Sequence, residues 1–213
     1  MSDSMLYGYW RSTAAYRVRI AANLKGLALQ HVFVHLREGA QRKPDYLARN
    51  PAGLVPLWTE GDFSLAQSLA IIEYLDETHP EPPLLPGDAR RRAITREIAL
   101  TIVADVHPIG NLRVLDKISA DFGADAPARA AWNRHWMAIG LAAVETRLRQ
   151  SAGRFAVGDD VSLADVCLTP QLYNARRFDL DLASFPTILR VEGAAQTLPA
   201  FAAATPEQQS DSE

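Results

Sequence analysis

LVPLWTEGDFSLAQSLAIIEYLDETH, residues 54–79, is the stretch that decides the fold. Two short runs of large apolar residues, LVPLW (54–58) and DFSLA (62–66), bracket the turn signal Thr59-Glu60-Gly61, so the pair reads as a β-hairpin. SLAIIEYLDETH (68–79) then carries apolar residues at helical spacing and stops before Pro80. Val55-Pro56 opens the first run. A proline there gives up a ladder donor, which suits a strand start or an edge strand. The alternative is a cis proline that turns the Val55 backbone outward to pair with a peptide-like ligand. Gln67-Ser68 opens the helix; a serine there is an ordinary cap, yet the free amides of such a terminus also bind a carboxylate well.

Working outward, MLYGYW (5–10) reads as a strand, and 13–25 as a helix through Val18, Ile20, Ala21 and Leu24, stopped by Lys25-Gly26. LQHVFVHL (29–36) is a strand by alternation, and a helix around 41–49 ends at the turn Asn50-Pro51-Ala52-Gly53. The order β-α-β-α-β-β-α within about 80 residues predicts a compact α/β sheet domain over 1–80. PEPPLLPGD holds four prolines in nine residues and makes 81–88 the linker. Helical patterns over 89–119, 126–151, 162–176 and 187–198 predict an all-α second domain, 89–213, with a frayed polar tail. SLAD (162–165) is a capping box with Asp165 in the place of the commoner Glu or Gln, and its reading is structural.

Composition narrows the function classes. Hydrophobic residues make up 48% and charged residues 22% of 213, the balance of a folded globule. A net charge of −3 argues against general nucleic-acid affinity. The basic run RRRAITR (90–96) lacks interleaved aromatics and reads as a solvated helix face. The single cysteine, Cys167, excludes an internal disulfide and reads as a small buried hydrophobe; no cysteine cluster suggests a metal site. MSDSMLYGYW lacks the pattern of a secretory leader, and no apolar run approaches the roughly 20 residues that span a bilayer. A cytoplasmic protein without membrane association is the expectation.

LYGYWRS, NPAGLVPLW, AQSLAIIEYLDETHP, LLPGD, DVHPIGNLRVL and VSLADVCLTPQLYNARRFDLDL follow one another along nearly the whole chain. With these motifs the chain resembles the glutathione transferase superfamily, and within it the zeta class, which includes maleylacetoacetate isomerase and bacterial maleylpyruvate isomerase. The resemblance implies a thioredoxin-like N-terminal domain followed by a helical C-terminal domain, glutathione as cofactor, and a homodimer. Ser12 matches the hydroxyl that hydrogen-bonds the glutathione sulfur, and Thr13 supports the turn. Val55 matches the residue whose main chain pairs with the cysteinyl part, and Gln67 and Ser68 the pair that holds the γ-glutamyl carboxylate. Gln41 aligns with a residue at the glycyl end. His107 and Asn111, four apart on one predicted helix, fall beside glutathione by resemblance; without it they read as parts of a capped or kinked helix around Pro108. The departure is at Ser12-Thr13-Ala14, where the zeta class usually reads Ser-Ser-Cys.

The implied substrate is a small keto-acid dianion. Guanidinium groups clamp carboxylates in two-point fashion, and Arg11, Arg113 and Arg177, from three separated segments, match the family's substrate positions, with Arg176 adjoining. The implied reaction is cis–trans isomerisation by thiolate addition, bond rotation and elimination. The nearest alternative is a transferase that conjugates or dehalogenates small α-halo acids and consumes glutathione. A noncatalytic binding protein of the same fold would be expected to lose Ser12, Val55-Pro56 or Gln67-Ser68, and a disulfide reductase would need a cysteine in the first helix.

Overall fold

A computed structural model describes residues 4–213; residues 1–3, which open the first predicted domain, lie outside the described residues. The chain divides into two compact units, residues 4–83 with 197–213, and residues 84–196.

In the first unit, β1 (Ser4–Gly8), β2 (Gln30–Phe33), β3 (Leu57–Glu60) and β4 (Phe63–Ala66) form one mixed sheet in the order β2-β1-β3-β4. β1 runs parallel to β2, with Gly8 opposite Phe33, and antiparallel to β3, with Leu6 opposite Trp58. β3 and β4 close the hairpin over Gly61, whose φ of +60° is a turn conformation glycine adopts freely. β3 begins after Pro56 rather than at Leu54, because a proline contributes no ladder donor. α1 (Thr13–Leu24) is buried from Thr13 through Ala22, and α3 (Ser68–Thr78) packs beside it. Between them, a 3-10 turn at Ala40–Arg42 and the short α2 (Pro44–Leu47) replace the helix expected around 41–49. Leu6, Val18, Ile20, Leu57, Trp58, Ile71 and Leu75 form the core. The Val55–Pro56 and Glu81–Pro82 peptides are cis.

The second unit is helical: α4 (Ala89–Leu100), a π-turn over Thr101–Val106, α5 (His107–Ile109), α6 (Leu112–Phe122), α7 (Ala126–Ser151), α8 (Leu163–Arg177) and α9 (Pro186–Gln196). Asp88 and Asp125 accept from the Arg91 and Ala128 amides and cap α4 and α7. The Asp165 carboxylate accepts from the Ser162 amide and hydroxyl, both at 2.9 Å, and from the Ala156 amide at 2.8 Å. Complete burial outweighs these bonds and pushes Asp165 up to about 6. On α7, buried Glu145 accepts from the first amides of α9, Thr187 and Ile188. Cys167 is fully buried.

Three sequence expectations need correction. The helix over 89–119 is not continuous: Gly110 ends α5, and Asn111, in extended backbone, caps α6. A side chain at 110 would meet Asn133 Oδ1 at 2.2 Å, so α7 packs closely against the chain at this break. The same run, Ala89–Phe122, also holds an 18-residue window of mean hydropathy 1.3, enough by length and composition to cross a membrane. Interspersed Asp105, His107, Asn111 and Arg113 hide it in the letters, and the π-turn and the Gly110 break interrupt it as a helix. The tail expected to fray instead packs on the first unit: α10 (Pro199–Ala202) lies against α1, and Asn23 Nδ2 donates to the Ala200 carbonyl at 3.0 Å. The proline-rich segment is anchored as well, with the Pro82 carbonyl on Lys25 Nζ at 2.6 Å and the Leu84 carbonyl accepting from the Leu163 amide at 2.8 Å.

Candidate active site

Ser12 stands at the N-cap of α1, reached through the turn Tyr9-Trp10-Arg11. Its Oγ accepts from the Ala15 amide at 3.2 Å, and its own amide donates to the Tyr9 carbonyl at 2.9 Å. A hydroxyl has one donor and two acceptor sites, so the capping bond leaves the O–H free to donate to an anion. Capping and anion binding are therefore compatible roles of one side chain. The first turn of α1 carries no acidic residue to oppose negative charge at this terminus. The Arg11 guanidinium lies over the Trp10 ring, 4.9 Å from its centroid.

The other residues matched in the first unit fit a peptide-like ligand. Val55, packed on Tyr7, Tyr46, Val34 and Leu57, offers main-chain groups that take no backbone partner among the described residues. Gln67 precedes α3 at φ +75°, rare for a residue other than glycine and held only where surrounding structure imposes it. Its side chain makes no cap bond and is exposed, while Ser68 beside it is buried. Buried Gln41 donates through Nε2 to the Leu36 carbonyl at 3.4 Å, and its Oε1 has no partner among the described residues. An orphaned buried acceptor, open main-chain groups at Val55, a helix terminus and a free hydroxyl are what a γ-glutamyl tripeptide with a thiol would satisfy, so the residues fit glutathione.

Two arginines were missed in the sequence. Arg17, fully buried, donates through Nη1 to Ser68 Oγ at 3.3 Å, and Arg19 donates to the Trp10 carbonyl at 2.9 Å and the Ala204 carbonyl at 3.0 Å. The signal was available: the helix YRVRIAAN shows no polar face for solvent, so its arginines had to be hydrogen-bonded inside.

In the second unit, Asn111 caps α6 by accepting from the Arg113 amide at 3.2 Å. His107 lies on α5, so the two do not share a helix as expected, because the Gly110 break separates them. The Arg113 side chain is exposed. At the end of α8 the adjoining arginines differ. Both are exposed, but Arg176 grips buried Glu192 with both nitrogens, one at 2.6 Å, whereas Arg177 reaches Asn174 Oδ1 at 3.3 Å and lies over Phe178. Trp132 and Trp136 pack edge to face, with Trp132 Nε1 on the Ile109 carbonyl at 2.9 Å, which is helix packing. Arg91 of the basic run donates to the Val157 carbonyl at 3.1 Å, within the second unit.

Residues 6–83 match the family model described as the glutathione S-transferase N-terminal domain. A probable maleylacetoacetate isomerase of Vibrio cholerae is 48% identical over 213 residues, covering 99% of each chain. A solved maleylpyruvate isomerase, described as a bacterial zeta-class glutathione S-transferase in holo form, superposes with a TM-score of 0.96 at 43% identity, covering 98% of this chain and 100% of its own. The chain belongs to the zeta-class glutathione transferase family. A further solved structure, the maleylacetoacetate isomerase of Methylobacterium extorquens AM1 with bound malonate and glutathione, has a TM-score of 0.95 at 42% identity, covering 98% of this chain and 99% of its own. Thr13 and Ala14, which follow Ser12, are both buried.

Proposed function

We propose that this protein is a glutathione-dependent cis–trans isomerase of maleylpyruvate or maleylacetoacetate, acting in the cytoplasm in aromatic-compound catabolism, as a homodimer. Bound glutathione supplies a thiolate that adds reversibly to the cis double bond, permits rotation and leaves unchanged. Ser12 carries the reading: its hydroxyl, held by the Ala15 amide and free to donate, stands where a hydrogen bond and the α1 dipole both favour thiolate over thiol. A free thiol has a pKa near about 8.5, so lowering it by roughly two units makes the nucleophile predominant at neutral pH.

Gln67, Ser68 and the amides opening α3 hold the γ-glutamyl carboxylate, the Val55 main chain pairs with the cysteinyl unit, and Gln41 meets the glycyl end. His107 and Asn111 are assigned to the same ligand on the family resemblance alone. Arg11, Arg113 and Arg177 bind the substrate carboxylates and stabilise the negative charge that develops on its keto group. The bound malonate in the Methylobacterium relative, a small dicarboxylate accompanying glutathione, supports a dicarboxylate substrate. Ala14 in place of cysteine removes a side chain prone to modification and leaves the isomerisation nucleophile, which belongs to glutathione, untouched.

The test is an absorbance assay offering maleylpyruvate and maleylacetoacetate separately, with and without glutathione. Rapid glutathione-dependent conversion is expected, and the preferred substrate assigns the pathway. Failure to turn over either substrate despite tight glutathione binding would overturn the proposal and favour a transferase acting on α-halo acids.

A further inference from the structure

The main chain of Trp10 is held at both ends by residues far from it in sequence. Its amide donates to Asp211 Oδ2 at 3.0 Å, and its carbonyl accepts from Arg19 Nη2 at 2.9 Å. Arg19 also reaches the Ala204 carbonyl at 3.0 Å, so one buried guanidinium ties the β1–α1 turn to the segment following α9. That segment is itself internally braced, with Gln209 Nε2 donating to the Ala203 and Thr205 carbonyls at 3.1 and 2.9 Å. Glu213 pairs with His35 and Arg37 on the same unit. Trp10 is the residue on which the neighbouring functional side chains depend: its ring carries the Arg11 guanidinium, and Ser12 follows in the turn closed by the Ser12 amide on the Tyr9 carbonyl.

We propose that Asp211 is a positioning residue for the thiolate site, acting with Arg19 to fix the Trp10 peptide and thereby the placement of the Ser12 hydroxyl and the Arg11 guanidinium. This rests on the assignment of Ser12 as the thiolate donor. A bond from an amide to a carboxylate is stronger than one to a neutral acceptor, so it restrains the turn against drift. A hydroxyl displaced by a fraction of an ångström loses much of its hold on an anion, which is why supporting contacts matter to such sites. His31 lines the same crevice as Trp10, Arg19 and Asp211. Burial and the Arg19 charge hold His31 below its ordinary value, against a smaller opposing pull from Asp211, so positive charge on it is disfavoured there.

The test compares Asp211→Ala, Asp211→Asn and Glu213→Gln with the unaltered protein. It follows the ultraviolet absorbance of glutathione thiolate bound to each against pH, together with kcat/KM for isomerisation across the same range. In Asp211→Ala the ionisation midpoint is expected to rise by about half to one unit, leaving about three- to tenfold less thiolate below the midpoint. The kcat/KM deficit should close at alkaline pH. Asp211→Asn, which keeps an acceptor oxygen, should recover most of the shift, and Glu213→Gln should show none. A midpoint in Asp211→Ala equal to that of the unaltered protein, or a deficit that is the same at every pH and follows a loss of melting temperature, would overturn the proposal. If the unaltered protein itself bound glutathione without ionising it, the assignment of Ser12 would fall first, and this inference with it.

Discussion

Ser12 performs two tasks with one oxygen, and substitution can separate them. Ser12→Ala removes the acceptor that caps α1 through the Ala15 amide, which costs about 0.5–2 kcal/mol of folding stability. It also removes the donor to the thiolate. A hydrogen bond to a charged group contributes about 1.5–3 kcal/mol, equivalent to a rise of about one to two units in the pKa of bound glutathione. Ser12→Asp keeps the cap, since aspartate is as good an N-cap as serine, but offers no donor and places a negative charge beside the sulfur. The two variants therefore part: Ala loses stability and thiolate, whereas Asp keeps stability within about 0.5 kcal/mol and loses thiolate more severely. Chemical denaturation reads the first quantity and the pH–rate profile of isomerisation the second. If both variants retained the unaltered pH midpoint, Ser12 would be a helix cap and nothing more.

Gln67→Gly should relieve the strain of φ +75° and raise stability by up to about 1 kcal/mol while weakening glutathione binding; a fall in stability on denaturation would contradict the strain argument. Asp165→Ala leaves two buried amides and the Ser162 hydroxyl without their acceptor and should cost about 3 kcal/mol or more, with kcat unchanged in the surviving folded enzyme. Because folding raises Asp165 to about 6, its proton favours the folded state. The stability it contributes below about pH 4, up to about 3 kcal/mol, is lost as pH rises through about 6, and Asp165→Asn should abolish that slope in denaturation curves. Arg176→Gln strands buried Glu192 and should lower stability by about 1–3 kcal/mol, whereas Arg177→Gln should leave stability within about 0.5 kcal/mol and reduce kcat/KM for the dicarboxylate by about tenfold or more.

What could be read from the sequence was mostly local. The capping box of Ser162 and Asp165 joins residues three apart, and the hairpin turn at Gly61 acts within its own strands, so short windows contain both partners. Ser12 and the Gln67-Ser68 step were legible for the same reason, standing where a strand gives way to a helix. Arg17 and Arg19 were not, because the groups that satisfy them, Ser68 and Ala204, lie 51 and 185 residues away. The packing of the last residues escaped for a similar reason: a polar tail looks solvated until Trp10 and Arg19 supply its partners. The division of labour between Arg176 and Arg177 turns on which of two adjacent side chains faces Glu192 on α9, a distinction settled by helix packing rather than by the dipeptide.

The most direct measurement of the central claim is conversion of maleylpyruvate or maleylacetoacetate with glutathione held far below the substrate concentration. The account predicts conversion to completion with all glutathione recovered as free thiol. Conversion that stops once glutathione is consumed, with sulfur retained in the product, would contradict it.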